Sequence, residues 1–280
     1  VIVHTFHGHV FHSYFGAAKT AFYKQVERYL AKKSSAIIAI SEKQKLELWK
    51  EHRIAAQEKI KVIPLGFDLA RFTENQEEKR KKFRNEYAIA DDEICIVIIG
   101  RLAPVKNHPL FLKAIQFVKE RTTKKIRAFV VGDGEIRPGL EHLCDELELD
   151  HCYWPNEKKR ATVTFTSWNT DVSYPLAGSE IVCLTSFNEG TPVSLIEAQA
   201  ASRAIVTTRV GGIENSVDKN AAFLTDISHP NEFYQKLLFL VDDSDERNRM
   251  SHAGKDFVIN KFGYKRLVND MRWLYHYLLP

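Results

Sequence analysis

The sequence predicts an α/β protein of two domains whose larger part is a doubly wound parallel sheet. Three observations carry this. Short apolar runs at residues 94–99, 126–131, 180–185 and 204–208 have the length and near-continuous hydrophobicity of strands buried on both faces. From residue 94 to 212 these runs alternate with glycine-containing turns and helix-like stretches, the β-α-β-α order that builds a parallel sheet. The chain has 280 residues, 44% hydrophobic and 27% charged, which is ordinary for a soluble globular protein and gives room for two domains.

Composition narrows the function class. The net charge is +4, mildly basic, which suits an anionic ligand or an anionic membrane surface and does not call for nucleic acid. There are four cysteines and no Cys-x-x-Cys pair. Cys95 and Cys183 sit in strand-like runs, so the expectation is buried, reduced thiols and a cytoplasmic location. No apolar run is long enough to span a bilayer. The chain begins in what reads as a strand, so the lack of a visible secretory signal carries no weight.

The first domain is expected over residues 1–72. Its opening strand runs into a loop with His4, His7, His9 and His12. Four histidines could ligate a metal, but no carboxylate lies nearby in sequence and they need not converge, so structural histidines are the preferred reading of His4, His9 and His12. Residues 17–33 read as a helix with five cations (Lys19, Lys24, Arg28, Lys32, Lys33) against Glu27 and an apolar side of Phe22, Val26, Tyr29 and Leu30. The plain reading is a domain helix with a solvated basic face; the sharper one is an edge that touches anionic lipid. Strands follow at 35–40 and 60–63, with Ser41 capping a helix over 42–52. Residues 74–86 are highly charged and read as a solvated helix or linker.

The second domain, 73–262, opens with the strand at 94–99. Gly100, Arg101 and Lys106 follow, then a helix beginning near Asn107. A glycine turn, two spaced cations and a helix start can form a diphosphate clamp, although an Arg and a Lys near a turn are usually surface charges. The strand at 126–131 leads to Gly132-Asp133-Gly134, a weak signal by itself, since a tight strand-to-helix turn explains it. Residues 153–160 are irregular and have no assignment. Residues 162–167 are strand-like. Gly211-Gly212 reads as a tight turn, and 231–279 as helical with a break at Gly263. Leu267, Met271, Leu274, Tyr275 and Leu278 form a stripe expected to pack in the core.

The most informative stretch is 186–199. A strand precedes it, and a helix over 194–201 follows. Between them stand Glu189, Gly190, Thr191 and Pro192. Thr191 is expected as N-cap and Pro192 as the first helical residue. The amides of Val193 and Ser194 would then point with the positive helix end into the crevice beyond the strand, a site for phosphate or sugar oxygens. Glu189 and Glu197, eight positions apart, can address two parts of one ligand.

This stretch resembles the Glu-x7-Glu signature of retaining glycosyltransferases of family 4, whose fold is GT-B, two Rossmann-like doubly wound domains. The resemblance extends to Thr5, His7 and Gly8 (the family's Thr-x-His motif), to Pro64, Gly66 and Asp68 (its interdomain segment), and to Gly100, Arg101 and Lys106 (its Gly-Arg-Leu-x-x-x-Lys motif). Thr166-Ser167-Trp168 departs from the usual Thr-Gly-Trp. What the resemblance implies is that Arg101 and Lys106 grip the donor diphosphate, Glu189 lies at the donor sugar, and Glu197 holds the ribose hydroxyls. It also implies that His7 faces the donor, that Gly132 and Gly134 lie near the base, and that the last helix, 263–280, crosses back onto the first domain.

The resemblance implies transfer of a sugar from a nucleotide-diphosphate sugar to a hydroxyl of a carbohydrate or lipid-linked acceptor, with retention and no metal or other cofactor. Peripheral contact with the inner face of an anionic membrane fits such an acceptor, and polysaccharide precursor synthesis is the setting implied. Two other readings stay open: a nucleotide-sugar-binding module without catalysis, and a nucleotide-sugar epimerase. The family's first domain normally carries about a hundred residues before the Thr-x-His strand, and nothing here matches them. The first domain is therefore expected to be incomplete, as a fragment of a longer, bacterial-type chain or, less favoured, as a natural truncation.

Overall fold

A computed structural model describes residues 1–7 and 17–279. The chain divides into two compact units, residues 1–68 with 260–280, and residues 69–259. The first break falls four residues before the expected boundary at residue 72.

The first unit holds a three-stranded parallel sheet in the order β1-β2-β3. Strand β1 (Val3–Phe6) leads to helix α1 (Ala17–Lys33), β2 (Ala36–Ala39), α2 (Glu42–Leu46) and, past a π-helical turn at Glu47–Glu51, β3 (Ile60–Val62). Ser41 caps α2 as its sequence predicts, its side chain accepting from Gln44 N at 3.1 Å. One face of the sheet buries Phe6, Ile37, Leu48, Ile54 and Ile60. Helix α1 departs from the plain reading of a packed domain helix: Phe22, Tyr29 and Leu30 on its apolar side are exposed, and Ala31 is the side chain it buries in that cluster. His4 lies 3.5 Å from Glu27 and edge-on to Phe6, a structural role as anticipated. His7 is exposed; Gly8, His9 and His12 lie outside the described residues.

The second unit is a seven-stranded parallel sheet in the order β10-β9-β8-β4-β5-β7-β6. After α3 (Gln76–Glu86) come β4 (Glu93–Ile99), α4 (His108–Lys119), β5 (Lys125–Val131), α5 (Arg137–Glu146), β6 (His151–Tyr153), β7 (Val163–Phe165), α6 (Ser173–Gly178), β8 (Ile181–Leu184), α7 (Val193–Ala200), β9 (Ala204–Thr208) and β10 (Ala222–Thr225). Helices α8 (Pro230–Asp242), α9 (Ser244–Ala253) and α10 (Lys255–Phe262) follow. Two strands lay outside the sequence reading: β6 begins just before the unassigned stretch, and β10 is half-exposed, so neither shows a strong apolar run.

Both faces of this sheet are covered, which explains the unbroken hydrophobic strands. Ile94, Ile96, Ile98, Ala128 and Val130 pack with Phe111, Ile115, Leu140, Phe233 and Leu237 from α4, α5 and α8. Phe129, on the alternate register of β5, meets Phe83 and Tyr87 at 5.2 and 5.1 Å. Helix α3 is therefore not the solvated linker its charge suggested. It buries Phe83 and Arg84, and Arg84 with Arg80 holds Glu180, whose other oxygen accepts from Cys95 N at 2.7 Å. The charges that made this helix read as solvated are in part consumed by this network. All four cysteines are free and buried.

Helix α11 (Tyr264–Leu278) belongs to the first unit. Leu274 is buried with Ala36, Ile38 and Ile63, and Leu267, Met271 and Leu278 pack beside it. Tyr275, read as part of that stripe, is instead exposed. Arg266 donates to the carbonyls of Pro64 and Leu65 at 2.7 Å each, and a Cβ on Gly66 would stand 2.5 Å from Leu267 Cβ. The Pro64–Gly66 turn is thus fastened to the last helix within one unit.

Gly178 closes α6 directly beneath Phe83, where an added Cβ would lie 2.2 Å from Phe83 Cδ1. Gly178→Ala is expected to cost about 1–3 kcal/mol by overpacking, measured by urea unfolding, and Phe83→Leu in the same chain should recover part of it. Simple additivity of the two losses would show that the ring is not what excludes the methyl.

Candidate functional site

The sheet of the second unit reverses direction at β4. From β4 the chain builds outward through β5, then returns to place β8 on the other side of β4. The loops leaving β4 and β8 therefore part from a common point, and a crevice forms at the carboxyl ends of these strands. The two motifs singled out in sequence are those two loops.

The loops are tied together by backbone and side chain. Phe187 N donates to Val105 O at 2.8 Å, and Thr185 Oγ1 donates to Lys106 O at 2.9 Å. Lys106 Nζ lies 2.6 Å from Glu189 Oε1, and the Ser186 hydroxyl donates to the same oxygen at 2.5 Å. Glu189 is buried, with 9% of its side chain open, and Lys106 keeps 27% of its side chain open. Two residues predicted from separate motifs thus meet, with the lysine facing out. Arg101 stands at the rim, largely exposed, and pairs with Glu135 at 3.1 Å rather than with Glu189.

Glycines set how near these loops come. A Cβ on Gly132 would lie 2.0 Å from Gly100 O, and one on Gly134 2.3 Å from Leu102 O. Both therefore have a structural reason to be glycine, since the β4 and β5 loops touch there through their backbones. Gly211 and Gly212, read in sequence as a plain tight turn, press on the carbonyls of Glu189 and Gly190 at 1.9 and 2.0 Å from their added Cβ positions. Gly212 N also donates to Glu189 O at 2.9 Å. Gly190 differs: an added Cβ meets nothing within 4 Å. Gly190 and Val193 are both exposed, so the chain is open to solvent around the start of α7.

Helix α7 starts one residue later than expected. Pro192 is the N-cap, with ψ 91°, and Thr191 makes no side-chain cap bond. Pro192 O takes the amides of Leu195 and Ile196, which leaves the amides of Val193 and Ser194 as the unfilled donors at the helix start. The expected pair of amides survives the shift. Glu197 lies further in on the same helix and is half-buried. Burial pushes its carboxyl up to about 7; Arg71 acts against this and Asp171 adds to it. Arg71 and Asp171 pair with each other at 3.3 Å.

Three residues without a predicted role shape the same edge. His108, beside Lys106, is fully buried, and burial with the Lys106 charge lowers its pKa to about 4. Ser167 takes a left-handed φ of +62°, the geometry glycine prefers, where the chain departs from Thr-Gly-Trp. Its hydroxyl donates to Asp133 Oδ2 at 3.0 Å, and its carbonyl accepts Gly132 N at 3.0 Å. Ser186 gave no signal in sequence beyond its place before Glu189. Among the described residues no three His, Cys, Asp or Glu side chains converge as a metal site would require.

Glu197 makes a pH prediction. Its ordinary value is 4.5, so between about pH 4.5 and 7 the folded chain holds a proton that the unfolded chain has released. Stability conferred by that proton is present at low pH and lost as pH rises through 7, by roughly 3 kcal/mol at most. The stability of Glu197→Gln relative to the parent, from urea unfolding, is expected to improve from pH 5 to about 7 and to level off above that. A difference constant over that range would mean that Glu197 is better solvated than its surroundings indicate.

Both parts of the chain are similar to known proteins. The model of glycosyl transferases group 1 matches residues 79–257, and that of glycosyltransferase family 4 matches residues 1–71. The chain is 28% identical over 279 residues to an Escherichia coli UDP-Gal:alpha-D-GlcNAc-diphosphoundecaprenol alpha-1,3-galactosyltransferase, covering 98% of this chain and 68% of that protein. It is 26% identical over 231 residues to D-inositol 3-phosphate glycosyltransferase of Corynebacterium jeikeium, covering 79% of this chain and 52% of the relative. The chain therefore spans between about half and two thirds of these relatives. Among solved structures, Anabaena HepE in complex with UDP superposes with a TM-score of 0.82 at 18% identity, covering 98% of this chain and 71% of that one, and a Thermosynechococcus elongatus sucrose-phosphate synthase with 0.77, also at 18% identity, covering 99% and 67%. These likenesses establish the GT-B fold, and with the group 1 model matched over more than half its length, the chain belongs to the glycosyl transferases group 1 family.

Proposed function

We propose that this protein moves a sugar from a nucleotide-diphosphate sugar to a hydroxyl acceptor, with retention at the anomeric carbon. The observation that carries the reading is the Lys106–Glu189 pair at the sheet's reversal point, beside the open start of α7. A departing nucleoside diphosphate gains negative charge in the transition state. Lys106, Arg101 and the Val193 and Ser194 amides would meet that charge from fixed positions, so the reading assigns the work to these groups and not to a metal ion. A diphosphate oxygen would share Lys106 with Glu189, leaving the second carboxylate oxygen of Glu189 for a sugar hydroxyl. Glu197 would accept from the ribose, and His7 would touch the sugar or the leaving phosphate.

The acceptor follows less directly. The Escherichia coli relative is named for a diphosphoundecaprenol acceptor. Exposed Phe22, Tyr29 and Leu30 on α1, among its five cations, support an acceptor reached at an anionic membrane surface. Co-sedimentation of the full-length protein with anionic but not neutral vesicles, weakened by Phe22→Ser with Tyr29→Ser, is the expected outcome. Equal recovery on both vesicle types would favour a water-soluble acceptor.

Turnover of UDP- and GDP-sugars with added acceptor tests the reaction. Arg101→Ala should lower kcat at least tenfold with an unchanged melting temperature, and Lys106→Ala should lower kcat by at least as much while also lowering the melting temperature, because Glu189 is left buried without its cation. Glu197→Ala should weaken UDP or GDP binding by roughly 1.5–3 kcal/mol, one hydrogen bond to a charged acceptor. Tight nucleotide binding with no transfer to any acceptor would instead identify a binding module, and interconversion of free donor sugars an epimerase.

A further inference from the structure

The first unit contains a cavity of about 610 Å³ that the transfer reaction does not use. Lys32, Lys50, Arg53 and Lys59 line it, with Trp49 and Ile54 as apolar wall. No carboxylate lines it, and among the described residues none of the four cations is ion-paired. Its place in the fold separates it from the donor chemistry. Lys32 stands just before β2 and Lys59 immediately before β3, so the cavity lies at the amino ends of these parallel strands, whereas His7 follows the carboxyl end of β1.

The backbone around the cavity is built and not merely loose. The π-helical turn Glu47–Glu51 supplies Trp49 and Lys50. His52 N donates to Glu47 O and Ile54 N to Leu48 O, both at 2.8 Å, so the corner folds back on that turn. Arg53 sits at φ +50°, and Arg28 clamps the corner from α1, donating to His52 O at 2.8 Å and Arg53 O at 3.2 Å. A π turn followed by a left-handed non-glycine residue is costly backbone, kept where the surroundings over-determine it. The charge is also segregated. Residues 1–68 and 260–280 carry fifteen Lys and Arg against seven Asp and Glu, net +8, while residues 69–259 carry 25 against 29, net −4.

We propose that this cavity is a second anion site, binding a phosphate-bearing group through Lys32, Lys50, Arg53 and Lys59. Four cations on four separate positions of a fixed frame suit a compact polyanion such as a diphosphate or a phosphomonoester. The same chemistry is offered by a soluble phosphate compound and by the headgroup of phosphatidic acid.

The test is calorimetric titration of the full-length protein with inorganic pyrophosphate, with UDP in excess to occupy the second unit. The comparison is with Lys50→Gln/Arg53→Asn, asparagine being chosen because it tolerates the left-handed corner. The double variant should bind pyrophosphate at least tenfold more weakly while keeping its melting temperature and its turnover with soluble substrates. Vesicles of phosphatidylcholine with phosphatidic acid, against phosphatidylglycerol at equal charge, separate the sources. Loss of a phosphatidic acid preference in the variant identifies the headgroup, and unchanged vesicle binding alongside lost pyrophosphate binding identifies a soluble ligand. Pyrophosphate affinity equal in parent and variant, or no binding by the parent, overturns the proposal whatever the outcome for sugar transfer.

Discussion

The close approach of backbones at the carboxyl edge of the larger sheet is the constraint on which the rest depends. Gly132 and Gly134 let the β5 loop lie on the carbonyls of Gly100 and Leu102, and Gly211 and Gly212 let the β9 loop lie on those of Glu189 and Gly190. A methyl at any of the four would separate loops that now touch. Since Lys106 reaches Glu189 from a neighbouring loop at 2.6 Å, an ångström of separation would break the pair. The side-chain geometry is thus set by residues that have no side chain.

Placing Glu189 in a buried position carries a desolvation cost that only a full set of partners offsets. The set is present: Lys106 and the Ser186 hydroxyl on Oε1, and Thr208 Oγ1 donating to Ser186 O at 2.8 Å to hold the serine in turn. Lys106 is itself held, its carbonyl accepting from Thr185. Removing either charge leaves the other without its partner, so the pair acts as a unit in folding as well as in binding.

Much of this was legible because parallel strands and their turns write themselves plainly. Buried strands such as β4, β5, β8 and β9 are continuous apolar runs, and glycine followed by a cation or a carboxylate marks their ends. Lys106 and Glu189 could be named from sequence, yet that they touch could not, since the contact depends on β8 returning beside β4. Helix α3 was misread because arginines paired to Glu180 inside the fold have the same composition as arginines in water. The reverse error occurred at Tyr275, and the plain reading of α1 fails in the same way: apolar spacing suggested packing and the structure leaves the side chains exposed. Periodicity reports an apolar face, and it does not report what covers that face. Ser186 and Ser167 were illegible for a simpler reason: a single hydroxyl at a turn is common, and only coordinates show whose carboxylate it serves.

The two glutamates eight residues apart show why spacing alone underdetermines chemistry. Glu189 lies before the helix with a cation and a hydroxyl on one oxygen, a carboxylate whose charge is answered locally. Glu197 lies within the helix, where burial outweighs the opposing Arg71 charge and Asp171, paired with that guanidinium, adds to the rise. Its charge is unanswered, and its proton affinity rises to the middle of the physiological range. A hydroxyl donor reaching Glu197 would stabilise the ionised form and release the proton, so ligand binding there couples to pH. The same residue type at two points of one strand–turn–helix unit thus meets two different surroundings, and the difference comes from what each carboxylate can reach.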